Sequence, residues 1–165
     1  MVALKTTLMN PIEFKEKLIV YLDKYWQPFE LAMAMKKEES SSQSEMFYIR
    51  SYSSFETEPF SRSLYHFIDM SGMTDVETYK KADIDRKLFS KLKNEEYHPS
   101  KETVFRLILA LELSIKNAKE LLEQAGYAFS RSSKVDLIVQ FCIENKKFNI
   151  VEVNELIFEH TEKTI

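Results

Sequence analysis

Residues 73–94 read MTDVETYKKADIDRKLFSKLKN, and this stretch decides the fold. Thr74 followed three residues later by Glu77 is a capping-box pattern. The threonine hydroxyl satisfies an orphan amide of the first turn while the glutamate reaches back to the cap amide, so a helix begins here. Val76, Tyr79 and Ala82 recur at helical spacing and are expected to face inward. Asp85 is a second N-cap and opens a helix over 86–94, with Phe89 and Leu92 inward. The connection is a turn of about three to four residues. Ile84 lies in it and should plug the angle between the two helices. Helices joined so closely leave one side of the second helix free, and that side carries Arg86, Lys87, Ser90, Lys91 and Asn94. From Arg86 to Lys93 there are four basic side chains and no acidic one. Cations neutralise phosphates and polar tips reach base edges, so this short helix is a candidate reader of a DNA major groove.

Working outward, the helical signals continue on both sides. Upstream, residues 61–71 form a helix with Leu64, Phe67 and Ile68 inward. Downstream, Ser100 caps a helix over 101–113 whose buried stripe is Leu107, Ile108 and Leu111. Ser114 caps another over 115–125, which Gly126 terminates. Ser133 opens a sixth helix over 134–146, and 150–160 reads as a seventh. Near the start of the chain, Asn10 followed by Pro11 is a helix-start signal. Phe14, Leu18, Leu22 and Tyr25 then make 11–26 amphipathic, and Pro28 ends it. A second short helix over 29–35 is expected. Residues 36–45, KKEESSSQSE, read as a flexible linker. Residues 46–60 are aromatic without clean periodicity and fit either a short strand or an extended arm. The apolar face of the 11–35 segment is large for a free surface, which makes it a candidate dimer element.

The ordered set resembles the helix-turn-helix of the Cro/C1 (XRE) repressor family. Thr74, Ala82, Ile84 and the run Phe89-Ser90-Lys91-Leu92 occupy its motif positions. Pro99, Ser100, Glu102, Thr103, Leu111, Leu113 and Ser114 match the part that follows. The resemblance covers 61–122. It implies a five-helix bundle that binds double-stranded DNA through the helix starting at Arg86, with Lys101 and Arg106 added as phosphate contacts and a homodimer spanning two half-sites. Tyr79 stands where the family has a small residue and should push its helix away from the next one. Asp83 and Asp85 stand where the family has glycine and serine, and bring two negative charges to the reading helix. Lys93 replaces a glutamate. Leu88 occupies a position where a polar base-reader is common, and is expected on the outer face. From Gly126 to His160 the chain resembles the tail of uncharacterised XRE-like proteins.

The expected fold class is therefore all-α. A five-helix XRE-like bundle occupies 61–126 and C-terminal helices extend it over 127–165. An N-terminal amphipathic segment (1–35) and a linker with an aromatic arm (36–60) precede it. The expected function is a DNA-binding transcriptional regulator. The alternative is a protein-interaction module or inhibitor that reuses the scaffold, with a protein as partner.

Composition limits the remaining classes. Two glycines and four prolines in 165 residues disfavour a turn-rich β-sandwich and nearly forbid a glycine-rich phosphate loop. The net charge of −3 argues against a nucleic-acid footprint over the whole surface, but residues 59–106 carry nine basic and eight acidic side chains and alone lean basic. A single cysteine, Cys142, rules out an internal disulfide. It lies on an apolar stripe with Ile138, Val139 and Ile143, as a buried hydrophobe would. His66, His98 and His160 fall in no zinc spacing, so no metal and no cofactor are expected. No catalytic constellation is present, and an enzyme is not expected. The absence of a signal pattern or a long apolar run implies a cytoplasmic protein without membrane contact.

Overall fold

The computed structural model describes residues 10–28, 30–31 and 58–165. Helices and turns account for all regular structure among the described residues. The expected linker (36–45), most of the aromatic arm and most of the short helix over 29–35 lie outside them.

Every helix but the one that follows Pro59 starts where a side chain satisfies an orphan amide. Helix α1 spans Pro11–Tyr25, and Asn10 Oδ1 accepts from the Ile12 amide. Helix α2 spans Phe60–Ser71 and ends at Gly72, whose φ of 69° is left-handed. Helix α3 spans Asp75–Lys81 under the complete Thr74–Glu77 capping box. Both reciprocal bonds are made, which stabilises a two-turn helix by about 1 kcal/mol that it could not gain from length. Helix α4 spans Arg86–Lys91 under Asp85, helix α5 Lys101–Ala110 under Ser100, and helix α6 Ile115–Gln124 under Ser114. Helix α7 spans Lys134–Glu144 under Ser133, and helix α8 spans Ile150–Thr161 under Asn149.

The central layer is α5. Val104, Phe105, Leu107, Ile108 and Leu109 are all buried, so the helix is covered on nearly every side. Helices α3, α6 and α8 pack around it, α2 packs on α6, and the α7–α8 pair closes the C-terminal end. One hydrophobic core runs through all of these and includes Phe14, Leu18 and Leu22 of α1. Helix α1 thus buries its apolar stripe against α7 of the same chain. Phe14 and Phe141 meet edge-on with centroids 5.1 Å apart, and Tyr21 lies on Phe141 at 5.0 Å. Such pairs add about 0.5–1.5 kcal/mol each beyond their buried area. The face expected to need a second copy is covered from within, which removes the reason for assigning dimerisation to it.

Three further expectations change. Val76 was expected inward but is 47% exposed, and Thr78 takes the buried position, its hydroxyl donating to the Thr74 carbonyl at 2.9 Å. The inward stripe is Thr78 and Ala82, one turn apart, and Val76 lies nearly opposite Thr78 at about 100° per residue. Helix α4 was expected to reach 94 and ends at Lys91. Leu88 was expected on the outer face; it is half-buried and packs against the core beside Phe89 and Leu92. Tyr79 is also half-buried, and it leans on Phe89 at 5.8 Å.

Candidate nucleic-acid interface

The α3–α4 turn is built on a backbone motif that normally uses glycine. The Ile84 amide donates to the Tyr79 carbonyl at 2.9 Å, and the Asp83 amide to the Lys80 carbonyl at 3.1 Å. This pair of bonds is a Schellman motif with Asp83 as its left-handed residue, at φ 50°. Ile84, buried as expected, supplies the apolar contact that accompanies the motif. An L-residue in this conformation costs roughly 1–2 kcal/mol. Here the cost is offset locally, because Arg106 Nη1 donates to the Asp83 carbonyl at 2.7 Å and to its carboxylate at 2.9 Å.

That contact also changes the local charge. Asp83, one of the two negative charges expected at the reading helix, is paired with Arg106. Asp85 Oδ1 accepts from the Lys87 amide at 2.7 Å, where the positive end of the helix dipole holds it. Lys93 Nζ reaches Asp75 at 3.0 Å, which ties the end of the α4 segment to the start of α3. The hydrogen bond to Asp75 is the main reason that the Lys93 pKa is raised.

The outer side of α4 is open. At about 100° per residue, Arg86, Lys87, Ser90 and Lys91 fall within an arc of roughly 140°, and all four are exposed. Among the described residues no carboxylate lies within ion-pair distance of Arg86, Lys87 or Lys91. Asn94 follows in the next turn, exposed, with its Oδ1 accepting from the Glu96 amide at 3.0 Å. Its side-chain Nδ2 makes no hydrogen bond within the described part of the chain, while its backbone amide donates to the Lys91 carbonyl at 3.0 Å. The structure therefore brings Arg86, Lys87, Ser90 and Lys91 onto one face, with Asn94 exposed in the turn after the helix.

It does not bring Lys101 and Arg106 to that face as free cations. Lys101 forms an ion pair with Asp136, whose side chain is 4% exposed, and donates to the Ala128 carbonyl at 2.7 Å. The same carboxylate accepts from the Ser130 amide at 2.7 Å and the Ser133 hydroxyl at 2.8 Å. A buried carboxylate needs these partners, and they hold the lysine inward. Arg106, besides gripping Asp83, donates from Nη2 to the Ile165 carbonyl at 2.7 Å. Both side chains are structural, and the sequence reading missed their partners.

Elsewhere, no group of three His, Cys, Asp or Glu side chains among the described residues is placed to hold a metal ion. No helix there is long and apolar enough to cross a membrane. Burial pushes the Cys142 thiol up to about 12, far from a nucleophile's range. Comparison with protein-family models, curated proteins and solved structures found no match in any of the three.

Proposed function

We propose that this protein binds double-stranded DNA by placing α4 in the major groove, as a helix-turn-helix regulator does. The observation that carries the reading is the face just described: three cations that no carboxylate among the described residues pairs, with Ser90, on one side of a helix whose other side is anchored in the core, and Asn94 exposed in the turn after it. Two facts support it further. Of the acidic residues near this face, Asp83 is engaged by Arg106 and Asp85 by the helix cap. Leu88 is half-buried against the core, which lessens the apolar surface beside the cations. Arg86, Lys87 and Lys91 serve as phosphate or guanine contacts, and Ser90 and Asn94 reach base edges. One such helix reads a short site, so two copies on half-sites about 34 Å apart are expected.

The direct test is unbiased selection from random duplex DNA with the purified chain. An enriched motif is expected, and Arg86→Ala or Lys91→Ala should weaken binding to it by about 1–3 kcal/mol. Selection that enriches nothing would end this reading.

A second reading, a protein-interaction module, draws on a different observation. Ile12, Ile19 and Val20 stand exposed on the side of α1 turned away from α7. Recovery of one protein partner that Ile19→Glu abolishes, together with failure of the DNA selection, would favour it.

A further inference from the structure

Arg106 has three acceptors on two distant parts of the chain. One guanidinium nitrogen grips both oxygens that Asp83 offers, at 2.7 and 2.9 Å. The other donates to the Ile165 carbonyl at 2.7 Å. Asp83 is the left-handed residue three positions before the first residue of α4, so its backbone geometry sets the direction in which α4 leaves the turn. Ile165 is a firm anchor in its own right. Its side chain is buried, and its amide donates to Asn154 Oδ1 at 2.9 Å. The chain reaches it by reversing after α8, where Glu162 adopts φ 57°.

We infer that Arg106 is a positioning residue and that it couples residues 162–165 to the pose of α4. With Ile165 in place, the guanidinium is held from one side and presents its other edge to Asp83. With the Ile165 carbonyl unanchored, Asp83 is the only fixed partner left to Arg106, and the pair moves together, because that carboxylate is 81% exposed and anchors nothing. The left-handed turn then loses its fixed clamp, and α4 loosens. The coupling is reachable from solvent, since Asp83 and Asn154, at its two ends, both line one open cleft of about 650 Å³. Its consequence for DNA rests on the function proposed above; the coupling itself does not.

Amide hydrogen exchange on the full chain tests it, with Ile165→Gly, Arg106→Met, the double variant, and Leu18→Ala as a control destabilised far from the relay. Ile165→Gly leaves the carbonyl in place but removes the buried side chain that anchors it, and should speed exchange of the amides at 83–88 up to about tenfold, the effect of freeing one charge-assisted hydrogen bond. Arg106→Met should do at least as much, and the double variant no more than Arg106→Met. Exchange in Ile165→Gly that rises only within α8 and the tail overturns the coupling. So does an equal rise at 83–88 in Leu18→Ala, because the effect would then be global. DNA titration of the same variants reads the other claim separately. If wild type binds no DNA while the exchange pattern holds, the coupling stands and the regulator reading falls.

Discussion

Replacing Lys101 by methionine separates a structural lysine from a phosphate contact. The side chain keeps its length and apolar stem but loses the charge that faces Asp136. Removing one partner of a buried ion pair typically costs about 3–5 kcal/mol, because the remaining charge is left unpaired away from water. Here two terms reduce that figure. Asp136 keeps the Ser130 amide and the Ser133 hydroxyl as donors, and bonds to charged groups are each worth about 1.5–3 kcal/mol. The Lys101 side chain is also 23% exposed, so solvent already screens part of the attraction. A loss of about 2–3 kcal/mol is expected, or a fall in Tm of roughly 5–10 °C for a chain of this size. Urea unfolding followed by far-ultraviolet circular dichroism measures it, with an unchanged m-value expected. Adding Asp136→Leu should restore about 1 kcal/mol or more, since no charge then stays buried alone. The salt dependence of DNA binding should not move. A stability loss under about 0.5 kcal/mol, together with a salt slope shallower by about 1, would mean that Lys101 faces phosphate and that the burial reasoning is wrong.

Two further outcomes follow from the same core. Leu18→Ala should cost about 2–5 kcal/mol in urea unfolding, because Leu18 is fully buried between α1 and α7; a loss under about half a kcal/mol would mean that α1 does not dock on the chain that carries it. Cys142 should resist a thiol-specific reagent at pH 8 until the protein is unfolded, and reaction of the native protein at the unfolded rate would contradict its burial. The same burial has a pH signature. The unfolded thiol loses its proton from about pH 9, whereas the folded one holds it to about 12. Stability should therefore fall as pH rises through that window, by up to about 1.4 kcal/mol per pH unit from this group. Cys142→Ala should flatten the slope, and an unchanged slope in that variant would assign the effect elsewhere, Tyr21 being the next candidate because its pKa is also pushed up to about 12.

The helices were legible because their start signals are local. Asn10, Thr74, Asp85, Ser100, Ser114 and Ser133 each bond an amide two or three residues away, and no tertiary contact is needed to read them. The open face of α4 was legible for the same reason, since helical spacing alone groups Arg86, Lys87, Ser90 and Lys91. Long-range electrostatics were not legible. Arg106 and Asp83 are 23 residues apart, and Lys101 and Asp136 are 35 apart. Only the packing of α5 against its neighbours decides that these pairs meet. Nothing in the composition distinguishes a lysine that points at phosphate from one that points at a buried carboxylate. Leu88 and Val76 were misplaced because α3 and α4 are too short for periodicity to fix their rotation. The docking of α1 depends on Phe141, which lies more than a hundred positions downstream.

The central claim is that three cations on α4, Arg86, Lys87 and Lys91, which no carboxylate among the described residues pairs, carry contact with DNA. The slope of log K against log salt tests it most directly, measured on a sequence recovered by selection. Each cation that neutralises a phosphate on duplex DNA contributes about −0.9, so three give a slope near −2.7 per copy bound. Arg86→Ala, Lys87→Ala and Lys91→Ala should each bring that value closer to zero by about one cation's share. A slope that stays the same when all three are replaced, or binding that is indifferent to salt, would contradict the account.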